Sequence, residues 1–373
     1  MKNKLSYTVG FLFLLYIFSF FVFQLLGKDK AFSELENRNL SLLPSFSQEK
    51  FFSGDFSKDF EKYIADQFPF RNHFISMKAY SERTLQKKDN NGVYIGKDHY
   101  FIQNFIKPDM ELAKRNATYI NDFAKHFNVT LLLAPTSTKI LEDKLPPFAT
   151  PYDEGRYLED FITLLSGDIK VIPVLETLLA KKNEPIYYKT DHHWTTLGAY
   201  YSYRTLAHEL GFTPLELNDF DIINASSSFY GSLFSKGNFT FAQPDNLQLF
   251  HFKNPPQLEV TYVAENRVTD TLYEYSHLKS KDKYSVFLDN NHPIITIKSS
   301  INNGKKLMLI KDSYANCLIP FLTHHYEEIH VLDLRFLNMP LKSYATENGF
   351  EDILFLYNIQ NFSGEGKLSL LRN

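Results

Sequence analysis

The sequence predicts an α/β protein, a parallel sheet with helices on both faces, preceded by one N-terminal transmembrane helix. Three observations predict it. Short apolar runs alternate with helical patterns from residue 129 to residue 356, and strands that alternate with helices assemble into parallel sheets. The runs are continuously apolar rather than alternating, which is how strands covered on both faces read. An uncharged apolar stretch, Leu5–Leu26, stands ahead of all of them.

That stretch follows Lys2 and Lys4. At about 1.5 Å per residue it rises roughly 30 Å, enough to cross the hydrocarbon core of a bilayer. Its exit, Gln24-Leu25-Leu26-Gly27-Lys28, offers no small-residue pair for cleavage, so residues 1–27 read as a cytoplasmic tip and an uncleaved anchor. Lys28 and Lys30 balance Lys2 and Lys4 across the span, so the positive-inside count barely orients it. The extracytoplasmic placement of the remaining chain rests on the motifs below.

Residues 28–90 read as a stalk and helical lead-in. The chain is irregular around Glu36-Asn37-Arg38, and helical apolar spacing runs from Phe56 to Phe68 and stops before Pro69. Residues 91–373 form the main domain. Within it, 92–103 read as a hairpin around Gly96-Lys97-Asp98, 109–127 as a helix, Val129–Ala134 as a buried strand, 154–166 as a helix and Ile169–Val174 as a second strand. The segment Thr195–Leu210 carries Tyr200, Tyr203, Leu206, Ala207 and Leu210 on one helical face. Thr195 can cap its start and Gly211 can end it. Lys306–Ile310, Ile329–Leu332 and Ile353–Leu356 are three more strands of the buried type. Residues 213–300 break the rhythm with short alternating runs rich in Phe, Asn and Ser, and read as a β-rich insertion.

Composition narrows the function classes. The 373-residue chain has a net charge of −3, which leaves no basic footprint for nucleic acid. Its 35 Phe and 23 Tyr supply ample apolar area for a core. Cys317 is the single cysteine, so no intramolecular disulfide forms and stability comes from packing.

Two motifs carry chemistry. In Thr190-Asp191-His192-His193-Trp194-Thr195 a carboxylate and an imidazole stand two residues apart, just before a helix start. In an extended segment such residues share a side, so Asp191 and His193 are expected to meet and His192 to point away. A helix-capping turn with a solvated histidine pair is the bland alternative for so short a match. In Leu307-Met308-Leu309-Ile310-Lys311-Asp312-Ser313-Tyr314 a buried strand runs into Ser313 and then into a helix-like segment, Ala315–Leu322, which Pro320 should keep short or kinked. A strand end beside a helix start exposes a serine to backbone N–H groups that can hold an oxyanion, although an Asp-Ser turn also simply caps helices. Together the motifs supply nucleophile, base and orienting acid, because serine needs a base and the base needs a fixed tautomer.

TDHHWTTLGAYY (190–201) and KDSYANCLIPF (311–321) resemble the signatures of the DHHW family of bacterial proteins, as do ELENRNL (34–40), FEKYIADQFPFRN (60–72), VYIGKD (93–98) and VLDLRF (331–336). That family is similar to the periplasmic alginate O-acetylation proteins, whose SGNH-hydrolase-like domain has its triad elements permuted. The resemblance implies an SGNH-hydrolase-like fold with Ser313 as nucleophile, His193 as base and Asp191 as its orienter. The family pattern has a Gly-Gly-Asn-His stretch where this chain reads Asp289-Asn290-Asn291-His292-Pro293. Asn291 therefore remains as an oxyanion donor candidate, and Tyr357-Asn358, after the last strand, as further residues lining the site.

The implied activity is extracytoplasmic O-acyl transfer, most simply of acetyl, to a cell-surface polysaccharide through an acyl-serine. Acetyl-CoA does not reach the outside, so the resemblance also implies a partner, a multi-pass membrane O-acyltransferase that delivers the acyl group. An acetyl-esterase with the same triad is one alternative. A catalytically idle glycan-binding or assembly protein, using 213–300 as its surface, is another. The DHHW tetrapeptide is not the DHHC of palmitoyltransferases, since Trp194 stands in the cysteine's place. A zinc site from His192, His193, His292, His324 and His325 lacks ligand spacing, and no metal or cofactor is expected. Asp333 and Arg335 read as a structural pair, and Cys317 as a small buried hydrophobe.

Overall fold

The computed structural model describes residues 2–239 and 241–372. By internal contacts the chain divides into one unit of residues 1–90 with 238–240, and a second of 91–237 with 241–373.

In the first unit, Lys2–Leu26 is one α-helix, and Ser6–Leu26 is long and apolar enough to cross a membrane. The stretch after it is less irregular than its sequence suggests. Phe32–Ser33 and Arg38–Asn39 pair antiparallel, and helices follow at Gln48–Ser53, Asp55–Asp66 and Arg71–Thr84. Ser47 caps the first of these by accepting from Lys50 N at 3.2 Å, and Gly54, at φ +81°, turns the chain into the second. Charged residues of the two motifs at 34–40 and 60–72 pair with each other. Arg38 grips Asp66 with two bonds of 3.0 and 2.6 Å, and Arg71 grips Glu36 with two of 2.5 and 3.1 Å. Such fork-to-carboxylate pairs fix direction as well as distance.

The second unit is mixed α/β around an eight-stranded sheet. In spatial order the strands are Arg267–Thr269, Leu258–Tyr262, Ile294–Ser299, Glu328–Leu332, Lys306–Lys311, Asp352–Asn358, Asn128–Ala134 and Lys170–Val171. The last five run parallel, and the first three extend them antiparallel. The β-rich stretch 213–300 therefore does two things. Phe220–Phe229 and Asp245–Phe252 form a separate antiparallel ribbon, while 258–262, 267–269 and 294–299 widen the central sheet. The run at 169–174 yields only a two-residue strand, after which Pro173 leads into the helix Val174–Ala180.

Strand residues alternate between two cores, as the pleat requires. Leu132, Leu307, Leu309, Leu354 and Leu356 face a core roofed by the helices Val174–Ala180 and Thr196–Glu209. Leu131, Leu133, Met308, Ile310 and Phe355 face a second core under Met110–Ala124, Glu154–Ile162 and Leu341–Glu347. Burying one such side chain contributes roughly 1.5–3 kcal/mol, so the continuous apolar strands fix a sheet covered on both faces. Asp109, Asp153 and Thr195 cap three of these helices through their side chains. The hairpin forms between Val93–Ile95 and Phe101–Gln103.

Candidate functional site

Two segments converge at the C-terminal ends of the parallel strands. The first begins where Lys306–Lys311 runs out. Asp312 there accepts from Tyr314 N at 2.9 Å and caps a 3-10 turn, Ser313–Cys317, followed by a short helix, Ile319–Leu322, with Pro320 in its first turn. The helix-like pattern at 315–322 thus resolves into a tight turn and one helical turn. The other Asp312 oxygen accepts from Asn358 N at 3.0 Å, Asn358 Nδ2 at 2.7 Å and Asn361 Nδ2 at 2.8 Å. Burial pushes the Asp312 pKa up against these donors, and the carboxylate pins the serine turn to the neighbouring strand. Ser313 is 8% exposed.

The second segment precedes the helix Thr196–Glu209. Asp245, from the outer ribbon, holds it by accepting from Lys189 N and Thr190 N at 2.8 Å and from Thr190 Oγ1 at 2.6 Å. The next residues bend rather than extend. His193 N donates to Asp191 Oδ1 at 2.9 Å, an Asx-type turn that folds the imidazole back onto the carboxylate. His193 Nδ1 then lies 2.5 Å from Asp191 Oδ1, and His193 Nε2 lies 2.8 Å from Ser313 Oγ. Asp191, His193 and Ser313 are thus brought together. Because the segment bends, His192 does not point away. Its ring centroid is 3.8 Å from that of His193, and its Nδ1 meets Ser232 Oγ at 2.6 Å.

Electrostatics orders the cluster. Burial alone would raise the Asp191 pKa, but the two histidines and the N–H of Ser232, at 2.7 Å, hold it well below the usual carboxylate range. An ionised Asp191 requires a proton on His193 Nδ1, which leaves the Nε2 lone pair for the Ser313 hydroxyl. Burial and then His193 push the His192 pKa down, so the second ring stays neutral. The Asp191 and histidine ligand atoms lie within 4.8 Å of one another, yet the Nδ1 atoms already serve Asp191 and Ser232. The remaining three histidines of the candidate zinc set lie elsewhere. His325 bonds Tyr203, His292 bonds Glu265 and the Asp289 carbonyl, and His324 packs on Phe252.

The motif at the centre of this site is the tetrapeptide Asp191-His192-His193-Trp194, with Trp194 Nε1 donating to the Tyr314 carbonyl at 2.9 Å and so tying the two segments together. It is the DHHW pattern. The DHHW protein family model matches residues 163–332. No curated protein matches the chain in sequence. Among solved structures, a DHHW family protein from Eubacterium siraeum is 23% identical, with TM-score 0.66, over 76% of this chain and 96% of that one. Bacillus cereus PatB1 with a sulfonyl adduct is 22% identical, with TM-score 0.63, over 75% and 98%. The O-acetyltransferase domain of Pseudomonas putida AlgJ is more distant, at 15% identity and TM-score 0.47 over 74% and 94%. At these identities the likeness to the first two is one of fold.

The further candidates around the DHHW segment sit elsewhere than expected. The Asn291 amide donates to Asn290 Oδ1 at 2.9 Å, and its oxygen accepts from Lys311 Nζ at 2.7 Å. Asn358 spends its amide on Asp312 and caps the helix Ile359–Ser363. Tyr357 packs on Phe362 in the second core, the face away from Trp194 and Tyr314. None of the three bonds Ser313 or His193 among the described residues. Asp289 and Asn290, in place of the family's glycines, sit with Leu288 at left-handed φ of 50°, 79° and 58°. Glycine suits such a conformation, and Asp and Asn tolerate it better than most residues. Asp333 and Arg335 do pair, at 2.9 and 2.6 Å, beside the buried Lys311, whose pKa burial pushes down to about 8. Cys317 is buried and its thiol pushed up to about 12 by that burial.

Sequence reasoning missed the residues that hold the DHHW histidine from outside its motif. The Tyr284 ring stacks on His193 at 3.8 Å and 8°, and its hydroxyl donates to the Ser313 carbonyl at 3.1 Å. Gly231 lies so close that a Cβ there would collide with the Asp191 side chain. No local pattern marks either one.

Proposed function

We propose that this protein is an extracytoplasmic O-acyltransferase, most simply an O-acetyltransferase, that modifies a cell-surface polysaccharide through an acyl-serine intermediate. The observation that carries the proposal is the continuous path from Asp191 through His193 to Ser313, at 2.5 and 2.8 Å. Ser313 Oγ attacks the carbonyl carbon of the acyl donor while His193 Nε2 takes its proton. The tetrahedral intermediate collapses, and the imidazolium returns that proton to the leaving group. A sugar hydroxyl then gives its proton to His193 and attacks the acyl-serine carbonyl; the second tetrahedral intermediate collapses to the sugar ester, and the imidazolium returns the proton to the departing Ser313 Oγ. Asp191 stays ionised and stabilises the imidazolium in both halves. With the Asn291 and Asn358 amides engaged elsewhere, we assign oxyanion stabilisation to the Ser313 backbone N–H. Such a triad would run Asp-His-Ser along the chain, and the N-terminal helix would keep the site near a multi-pass membrane acyl donor.

An arylsulfonyl fluoride tests the nucleophile, since an activated serine attacks the sulfonyl sulfur and expels fluoride; PatB1, of similar fold, is known with a sulfonyl adduct. Intact-mass and peptide analysis of the full chain should show a single adduct on Ser313, absent from Ser313→Ala. An unlabelled wild-type Ser313 would reject the covalent reading. An activated acetyl ester with and without purified polysaccharide then separates transfer from hydrolysis, because an esterase would release free acetate at the same rate in both.

A further inference from the structure

The first unit joins its long helix to an aromatic corner at an informative depth. Phe68, Pro69 and Phe70 link Asp55–Asp66 to Arg71–Thr84. The Phe68 ring stacks on Phe20 with centroids 5.5 Å apart, and the Phe70 ring meets Phe23 at 5.7 Å and Phe20 at 6.4 Å. Phe20 lies about 9 Å below Leu26 along the helix axis. Were the bilayer boundary drawn beneath Phe20, only Leu5–Ser19 would remain inside. That segment rises only about 22 Å, against a hydrocarbon core of roughly 30 Å. A helix that spans must therefore carry Phe20 into the apolar layer, and the corner packed on it goes with it.

Two further features fit this depth. Phe70 holds φ at +58° while its side chain is 56% exposed. A bulky aromatic in the left-handed region is strained, and in water the exposed half of the ring gains nothing in return. In lipid the same exposure is favourable. Beside the corner lies a cavity of about 570 Å³ lined by Phe23, Phe68 and Phe70 together with Lys28, Lys30 and Arg71. Arg71 is neutralised by Glu36, whereas Lys28 and Lys30 form no ion pair among the described residues. Apolar walls with ammonium groups at the helix exit match the junction of acyl chain and phosphate.

We propose that the Phe68-Pro69-Phe70 corner is immersed in the bilayer leaflet from which the domain emerges, with phospholipid phosphate seated in the cavity against Lys28 and Lys30. The protein is then held by a helix and a shallow wedge, which fixes the rotation of the first unit about the anchor as well as its height. The inference rests on Leu5–Leu26 spanning the bilayer, and the experiment separates the two.

Cys317 is fully buried, so introduced cysteines label selectively. Full-length Leu12→Cys, Phe68→Cys and Phe70→Cys each carry an environment-sensitive NBD probe, in vesicles of phosphatidylcholine and phosphatidylglycerol with a nitroxide lipid. The nitroxide sits near the headgroup in one preparation and near the acyl-chain end in another. The Leu12 probe should be quenched by the deep nitroxide. The Phe68 and Phe70 probes should be blue-shifted and quenched about twofold more by the shallow nitroxide than by the deep one. A quenched Leu12 probe with water-like emission at both corner positions overturns the proposal and leaves the span intact. Blue-shifted corner probes that neither nitroxide quenches overturn it in favour of a protein covering the corner. An unquenched Leu12 probe removes the span and the corner together.

Discussion

His193 can accept a proton from Ser313 only while its other nitrogen keeps its own, and Asp191 is what keeps it there. The carboxylate is held ionised by both histidines and by Ser232 N, so the tautomer follows from charge rather than from the distance alone. That logic ranks the substitutions. In the proposed mechanism Ser313→Ala removes the nucleophile and His193→Ala the base, and both should take polysaccharide acetylation to background, since members of such a unit do not act additively. Asp191→Asn preserves shape but can place the proton on the wrong nitrogen, for a loss of roughly 10⁴-fold. His192→Ala loses one bond to Ser232 and a ring contact with His193, worth about tenfold or less. Acetate released from purified polysaccharide, in cells with equal protein levels, measures all four. Wild-type acetylation with Ser313→Ala would end the covalent mechanism. At this scale the three central residues were legible because their chemistry is local to two short motifs. The contact between His192 and His193 was not legible, because extended backbone was assumed where an Asx-type turn forms. Tyr284 was not legible because its ring reaches His193 from a distant part of the chain.

Elements near the site are joined by buried polar links, and one of them titrates in an accessible range. Glu154, in the first turn of the helix Glu154–Ile162, accepts from Thr136 N at 2.7 Å and from Thr136 Oγ1 at 2.5 Å. It thereby ties that helix to the end of the strand Asn128–Ala134. Burial pushes its pKa from 4.5 up to about 7. Below pH 4.5 the folded and unfolded chains both hold the proton, and the link contributes fully. Between pH 4.5 and pH 7 the unfolded chain ionises first, so stability falls as pH rises, on the order of 3 kcal/mol across the window. Glu154→Gln does not titrate. In urea unfolding followed at pH 4.5 and pH 7, the wild type should lose stability relative to the variant by that order. Parallel losses in the two proteins would refute the assignment. The helices Met110–Ala124, Glu154–Ile162 and Thr196–Glu209 and the parallel strands were legible because helical spacing, a cap and continuous apolar runs are local signals, as at Thr195 and Leu307–Ile310. The segment 169–174 shrank to two paired residues because it pairs only with Asn128–Ala134 at the edge of the sheet.

Across the whole molecule, what the sequence could not convey is pairing between distant segments. Residues 213–300 read as an insertion because their runs are short and alternating. Yet Ile294–Ser299 pairs with Glu328–Leu332, and Leu258–Tyr262 pairs with Ile294–Ser299, which extends the central sheet. Alternation was the true signal, since an antiparallel strand toward a sheet edge is less evenly covered, but no local pattern names its partner. The long apolar helix Lys2–Leu26, by contrast, is legible from composition alone, and its part in the proposed reaction can be isolated. If the acyl donor is a membrane protein, tethering serves to concentrate donor and nucleophile, and any span of suitable length that keeps Phe20 and Phe23 under the corner serves as well as this one. Replacing residues 5–26 by an unrelated apolar helix that keeps Phe20 and Phe23 should preserve polysaccharide acetylation. Replacing residues 1–27 by a cleaved signal peptide should release the domain with its sulfonyl fluoride reactivity at Ser313 intact. Acetylation in cells should then fall by roughly 10²–10⁴-fold, the usual yield of holding two components together. Equal acetylation by the released and the anchored forms would show that the donor is soluble and would remove the membrane partner from the proposal. Loss of acetylation together with sulfonyl reactivity would instead show that the anchor segment is needed to build the site.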